Sequence, residues 1–477
     1  MNDKNVMRKV WIASLVGSSI EWFDYFLYGT VAGLVFYKVF FVADDPTVGL
    51  LLSYASLALA FIIRPFGGII FGYIGDKIGR KRTLVLTLSI MGIATVLMGL
   101  LPTYQAIGVA APIILIILRL VQGLGIGGEW GGAVLLAVEY APKEKRGFYG
   151  AFPQMGVTIG LFLGSGALSF ITAVVSPESF IAWGWRIPFI LSVLLVIFGL
   201  WIRKGLDETP SFIKMREAGE ISKLPFVEIF RNQWKEVIIA VGGKVVETAP
   251  FYIFSTFIVS YGTNHLGFTS SQVLISIMIA TIVTTLLMPI MGRLSDKIGR
   301  KNVYISGVNG IILFAFPYFW LLEQRTFITL LIATVLGLGV IWSPITAVLG
   351  TMFSEIFDAR VRYTGVSLGY QIGAAVAGGT APLIATWLLV QFNNSYVPVA
   401  LYIILTAIIS LIAVITVRDK SNQELGEFNK PNNEVEKELK NILNRWRKLI
   451  SNSPKKKSPQ MRAANDDGTS KKSIRGM

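Results

Sequence analysis

Gly72-Tyr-Ile-Gly-Asp76-Lys-Ile-Gly79-Arg80-Lys81 is a polar, glycine-rich turn, and from Thr83 to Leu118 no charged residue follows it. The turn recurs 220 residues on as Gly292-Arg-Leu-Ser-Asp296-Lys-Ile-Gly299-Arg300-Lys301. Beyond the second copy, Thr326 to Ser354 and Tyr363 to Val417 are again free of charge. A helix crossing a bilayer needs about 20 mostly apolar residues. In hydrocarbon, only a helix or a closed barrel satisfies its own backbone. Barrel strands are about 10 residues long and alternate in polarity, which these runs do not. The chain is therefore expected to be an all-α polytopic membrane protein.

Composition agrees. Of 477 residues, 15% are charged and 53% are apolar, and the mean hydropathy is +0.60. A soluble domain carries roughly 25% charge, so a soluble enzyme, a disordered chain and a collagen-like rod are excluded. Twelve spans are read, over 9–38, 48–74, 83–101, 110–138, 149–174, 184–203, 235–262, 271–292, 303–322, 327–352, 363–390 and 396–417. The first apolar segment is too long for a cleavable signal. Lys and Arg cluster on one side of this layout, in Lys77–Arg82, Lys143–Arg146, Arg203–Arg231, Arg293–Lys301 and Arg360–Arg362. By the positive-inside rule that side is cytoplasmic, with both termini. The net charge of +15 thus reports orientation in a plasma membrane and predicts no nucleic-acid partner.

The duplicated turn divides the chain into a six-helix half (1–203), a cytoplasmic linker (204–234), a second six-helix half (235–417) and a tail (418–477). Glu139, Arg146 and Gln154 of the first half correspond to Glu355, Arg362 and Gln371 of the second, with one residue of slippage. Duplicated halves around a midplane site are a common build of secondary transporters. Asp76 and Asp296 stand where a helix N-terminus can receive an acid. With Arg80, Glu139, Arg146, Arg300, Glu355 and Arg362 they form a candidate latch between conformations; plain positive-inside anchoring is the alternative. In the tail, Val435, Leu439, Ile442, Trp446 and Leu449 make a short seam. It suits either tail-mediated self-association or an amphipathic helix on the membrane, before a disordered basic end.

Ionisable groups inside the spans are costly and point to function. They are Glu21, Asp24, Arg64, Arg119, Glu129, Lys244 and Glu247. By the helical rise, Glu21, Arg64 and Glu129 lie about 15 Å from the cytoplasmic ends of their spans, with Asp24 and Arg119 deeper. A lone buried charge is prohibitive, so pairing is expected. Asp24 with Arg119 is the first candidate for proton coupling, and Glu21 or Glu129 with Arg64 the second; permanent ion pairs that merely hold helices together are the alternative. Lys244 and Glu247, three residues apart, either neutralise each other, or Lys244 faces the cavity and meets an anionic substrate while Glu247 pairs elsewhere. Arg64 and Lys244 from opposite halves would grip a carboxylate. Gln122, Gln154, Tyr252, Tyr370 and Gln371 are further candidates for cargo contacts, and Trp130 and Trp342 shape the cavity.

Other signals carry no chemistry. Gly123-Leu-Gly125-Ile-Gly-Gly128 spells the dinucleotide pattern but lies inside an apolar span with no strand before it, so helix packing is expected. One His and no Cys support neither a metal site nor thiol chemistry. No phosphate-binding loop for ATP occurs, and no catalytic constellation. No cofactor is expected other than protons as coupling ion.

The motifs also resemble a known group. Asp76-Lys-Ile-Gly-Arg-Lys, its copy, and Arg119-Leu-Val-Gln122-Gly123 look like the major facilitator superfamily. Glu21-Trp-Phe-Asp24-Tyr25, Arg64-Pro-Phe-Gly-Gly68, Gly127-Gly128-Glu129-Trp-Gly-Gly132, Glu139-Tyr-Ala-Pro142, Gly184-Trp-Arg186-Ile-Pro188 and Tyr363-Thr-Gly365 resemble its metabolite:proton symporter family. The resemblance implies alternating access. It implies proton-driven symport of a small metabolite such as citrate, 2-oxoglutarate, shikimate, proline or betaine, and it strengthens the pairing of Asp24 with Arg119. An organic acid is the leading expectation. An osmolyte symporter, a facilitator or antiporter without proton coupling, and a sensor acting through its tail are the alternatives.

Overall fold

Long apolar runs that must satisfy their own backbone become helices. The computed structural model describes residues 3–78, 80–127, 130–139, 141–204, 229, 231, 233–357 and 362–417. Every regular element among them is helical. The membrane helices of the first half are α1 (Asp3–Val31), α2 (Pro46–Ile78), α3 (Arg80–Leu100), α4 (Ala110–Ile126, resuming as Trp130–Glu139), α5 (Phe152–Val174) and α6 (Arg186–Lys204). Those of the second are α7 (Trp234–Tyr252), α8 (Ser270–Ile298), α9 (Arg300–Glu323), α10 (Phe327–Ile356), α11 (Arg362–Ala377 and Thr380–Gln391) and α12 (Val397–Ile415). Nine spans among the described residues are long and apolar enough to cross a membrane, and α6 forms a tenth with Pro177–Gly184, bent by 48°. The apolar stretch of α3, Val85–Leu100, is shorter, and α1 completes twelve.

The outer surface is apolar. Leu313 is 77% exposed and Trp201 and Phe170 are each 69% exposed. Such a surface suits lipid and not water. Inside, glycines let helices touch. A Cβ on Gly127 of α4 would fall 2.2 Å from the Arg64 carbonyl oxygen of α2, and one on Gly67 would fall 2.1 Å from that of Leu124. The glycine run that spells a nucleotide motif therefore serves packing.

The boundaries expected at the duplicated turn are corrected. The second copy was expected as a loop between helices ending at 292 and starting at 303. Instead α8 continues through Asp296 to Ile298, and Gly299 alone turns the chain into α9. Gly299 has φ +92°, which a residue without Cβ adopts freely. In the first half, likewise, α2 reaches Ile78 and α3 starts at Arg80. The offset of the repeat also governs a defect in helix geometry: π-helical turns extend α1 at Ala32–Phe36 and α7 at Ile253–Phe257. Single π turns inside α-helices occur frequently at functional sites. The linker expected over 204–234 falls almost wholly, and the tail with its seam and basic end wholly, outside the described residues.

Candidate transport site

Twelve side chains from the two halves surround a central cavity, among them Trp22, Phe61, Arg64, Lys244, Glu247, Tyr252, Trp342 and Tyr370. Its water-accessible volume is about 20 Å³, room for a water molecule or two and too little for a metabolite. The halves must part for cargo to enter.

Arg64 is completely buried. Its guanidinium carbon lies 4.1 Å from the centre of the Phe61 ring, 4.2 Å from Tyr25 and 5.7 Å from Trp22. None of its three nitrogens meets a hydrogen-bond acceptor. The expected partnership with Glu21 is thus not made by hydrogen bonds, although Glu21 is buried too, and Glu129 lies outside the described residues. Ring faces attract a cation but accept none of its five donors in the strong, in-plane manner of a carboxylate.

Lys244 and Glu247 form an ion pair. The ammonium also sits 3.6 Å from the centre of the Tyr370 ring. Glu247 is fixed from several sides: Thr248 Oγ1 donates to Oε2 over 2.9 Å, Thr346 Oγ1 to Oε1 over 3.4 Å, and Trp342 Nε1 to its backbone carbonyl over 2.6 Å. Of the two readings of this pair, the geometry matches mutual neutralisation: Glu247 pairs with Lys244 and with no other cation among the described residues, although Lys244 also lines the cavity.

Asp24 makes no ion pair with Arg119, in contrast to the direct couple expected. Two neutral side chains stand between them. Thr95 Oγ1 is 3.1 Å from Asp24 Oδ2, Gln122 Nε2 donates to Thr95 Oγ1 over 2.8 Å, and Arg119 Nη1 donates to Gln122 Oε1. Asp24 Oδ1 and the remaining Arg119 nitrogens meet no partner, while Arg119 lies over the rings of Tyr28 and Tyr25 at 4.0 and 4.2 Å. Gln122, expected at the cargo, is thus a link in this chain. Thr95, an ordinary threonine in an uncharged span, carried no signal in the sequence.

The other candidate glutamines also bridge. Gln154 accepts from Trp130 Nε1 over 2.7 Å and donates to Thr346 Oγ1 over 3.0 Å; Gln371 donates to the Gly127 carbonyl over 3.2 Å. Trp130 and Tyr370 stack at 3.5 Å. Each of these contacts except that of Trp130 with Gln154 crosses between the halves.

Both ends of the cleft are shut. On the face carrying the basic loops, Asp296 accepts from the backbone N–H groups of Gly147 and Phe148 in the other half, over 2.8 and 3.0 Å. Arg300 bonds Asp296 over 2.8 Å and Glu355 over 3.3 Å. Arg146 and Arg362 are buried beside them, and Arg362 Nε donates to the Phe357 carbonyl. In the second copy the latch candidates Asp296, Arg300 and Glu355 thus meet one another; in the first copy, the side chains of Asp76, Arg80 and Glu139 lie outside the described residues. Toward the opposite face, about 15 Å from Arg64 by the helical rise, the Tyr54 hydroxyl donates to Ser260 Oγ over 2.9 Å and approaches the Thr256 carbonyl at 3.4 Å.

Two helical bundles meeting on a charged central cavity are the build of many secondary transporters. The sequence matches the Major Facilitator Superfamily over residues 14–378. It is 36% identical to the shikimate transporter of Escherichia coli over 414 residues, 86% of this chain and 94% of that one. It is 35% identical to the proline/betaine transporter of the same species, over 89% of this chain and 86% of the relative. Among solved structures, a D-xylose–proton symporter superposes with TM-score 0.66 at 17% identity, covering 85% of this chain and 96% of that one. The E. coli xylose transporter in a partially occluded inward-open form gives 0.68 at 18%, covering 88% and 100%. The chain belongs to the Major Facilitator Superfamily, among relatives named as transporters of small metabolites.

Proposed function

We propose that this protein carries a small organic carboxylate into the cell together with protons, by alternating access, with the basic face of the bundle in the cytoplasm. The observation that carries this reading is Arg64: a fully buried guanidinium on the cavity wall with no acceptor on any nitrogen. A carboxylate entering from the outer side supplies that acceptor in the bidentate geometry arginine favours. Asp24 is the proton carrier. Proton uptake removes its charge from the bilayer interior, and Gln122 and Thr95 connect it to Arg119. Opening of the basic face requires Asp296 to leave Gly147 and Phe148, after which cargo and proton depart to the cytoplasm.

The test is uptake by proteoliposomes of a panel of labelled carboxylates, with and without an inward acid gradient. Accumulation against a concentration gradient only when the gradient is present is expected. Asp24→Asn is expected to abolish gradient-driven accumulation and to keep exchange of cargo across the membrane; full accumulation by that variant overturns the role of Asp24.

A second reading rests on the aromatic wall of Trp22, Phe61, Phe251, Tyr252, Trp342 and Tyr370. Such rings suit a quaternary ammonium, and one relative is named a proline/betaine transporter. Arg64 already covers the faces of Trp22 and Phe61, which favours the acid. Glycine betaine outcompeting every carboxylate would reverse the preference.

A further inference from the structure

The cavity wall carries two cations from opposite halves, and they differ in one respect. Arg64 has no acceptor. Lys244 is bound to Glu247 and capped by the Tyr370 ring. Given that the cargo is a carboxylate, the wall has one vacant cationic position among the described residues and a second that is internally filled. We propose that Glu247 sets the charge of the cargo: by holding Lys244 it restricts the site to a single carboxylate, and releasing Lys244 converts the site to dicarboxylates.

The physical case lies in how firmly Glu247 is held. A second cargo carboxylate can reach Lys244 only by displacing Glu247, which would leave a buried acid without its cation. Thr248 and Thr346 fix the two Glu247 carboxyl oxygens, and Trp342 fixes its backbone carbonyl. An ammonium has three donors and no acceptor, so once Glu247 loses its charge Lys244 keeps its own in this buried site only by meeting another anion. A second carboxylate on the cargo supplies that anion.

The test measures binding to the purified full-length protein in lipid nanodiscs by calorimetry and by thermal shift. The probes are benzoate and shikimate as monocarboxylates, isophthalate and 2-oxoglutarate as dicarboxylates, and glycine betaine. Wild type is expected to bind the preferred monocarboxylate at least tenfold tighter than either dicarboxylate. Glu247→Gln, which retains the shape and hydrogen-bonding capacity of the side chain, is expected to move that ratio at least tenfold toward the dicarboxylates. The double variant Glu247→Gln with Lys244→Gln is expected to restore the wild-type preference, which separates release of Lys244 from general disturbance of the site. Equal binding of both classes by wild type, an unchanged ratio in Glu247→Gln, or a double variant that behaves like the single one each overturns the inference while leaving carboxylate transport standing. If no acid binds wild type, or only glycine betaine does, the carboxylate reading itself falls. Should Glu247→Gln fail to fold, the double variant, which removes both charges together, still decides: a dicarboxylate preference in it is incompatible with a role for Lys244.

Discussion

The two halves of this protein keep their buried charges in different ways. In the second half, Lys244 has Glu247, and Arg300 has both Asp296 and Glu355. In the first, Arg64 has no acceptor, Arg119 reaches only a neutral glutamine, and Asp24 meets a neutral threonine. Leaving a charge unpaired in a low-dielectric interior is expensive, and a fold tolerates it where partners come and go. On the proposed cycle, the unpaired Arg64, Arg119 and Asp24 of the first half are the groups free to take cargo and proton, whereas Lys244 and Arg300 of the second already hold acids. The sharpest way to break this contrast is to remove charge from each side. Arg64→Gln should lower uptake by about 100-fold, because an arginine–carboxylate contact contributes about 1.5–3 kcal/mol. Removing Lys244 and Glu247 together, each to Gln, should cost less than about tenfold, since a buried pair is worth little beyond its own desolvation. Equal losses in radiolabelled uptake would erase the distinction.

A subtler test concerns the chain from Asp24 to Arg119. If Gln122 and Thr95 connect the two charges during coupling, Gln122→Leu should reduce gradient-driven accumulation about tenfold, near the net value of one or two hydrogen bonds. In exchange of cargo, which Asp24→Asn is expected to keep, Gln122→Leu should slow the wild type and leave the Asp24→Asn variant unchanged. Such non-additivity is what a shared network predicts. Additive losses would make Gln122 a packing residue.

Much of this was legible in the sequence, and the limits are physical. Twelve helices follow from hydropathy because a bilayer leaves the backbone no other choice. The repeat singled out Asp296 and Arg300 as contact-forming candidates because charged groups in tight turns are few and recur at a fixed offset. Arg64, Lys244 and Glu247 were visible for the same reason: charge inside an apolar span is rare. The links between charges were not visible. Thr95 is one of many hydroxyls in uncharged helices, and such hydroxyls usually bond their own helix, as Thr95 also approaches the Met91 carbonyl. Gln122, Gln154 and Gln371 were recognised as polar residues with work to do, but only the packing of helices decides whether an amide meets cargo or a neighbour.

Smaller effects distinguish the two closed ends. The basic face is shut by ionic contacts through Asp296, the other by a neutral hydroxyl pair, Tyr54 and Ser260. Because the chain has no cysteine, a single one introduced at Thr351, whose side chain approaches the Arg146 carbonyl at 3.4 Å across the latch, reports opening by its rate of alkylation. Asp296→Asn should raise that rate severalfold, corresponding to about 1 kcal/mol for charge-assisted contacts at a partly screened surface.

Tyr54→Phe should loosen the opposite face by less, near the lower end of about 0.5–1.5 kcal/mol for a neutral hydrogen bond. The phenyl ring that remains still fills the space beside Gly33, where a Cβ would stand 2.7 Å from the tyrosine hydroxyl. A cysteine at Ser260 would remove the bond being tested, so Thr256→Cys is the suitable reporter, since Thr256 contributes only its backbone carbonyl to Tyr54. Salt separates the two ends independently of magnitude. Raising ionic strength should speed labelling at Thr351→Cys, because the latch charges become exposed as they part and are then screened over about 8–10 Å, and should leave labelling at Thr256→Cys unchanged. A salt response at both ends would mean that the outer closure also depends on charge, and the contrast between an ionic latch and a neutral gate would fail.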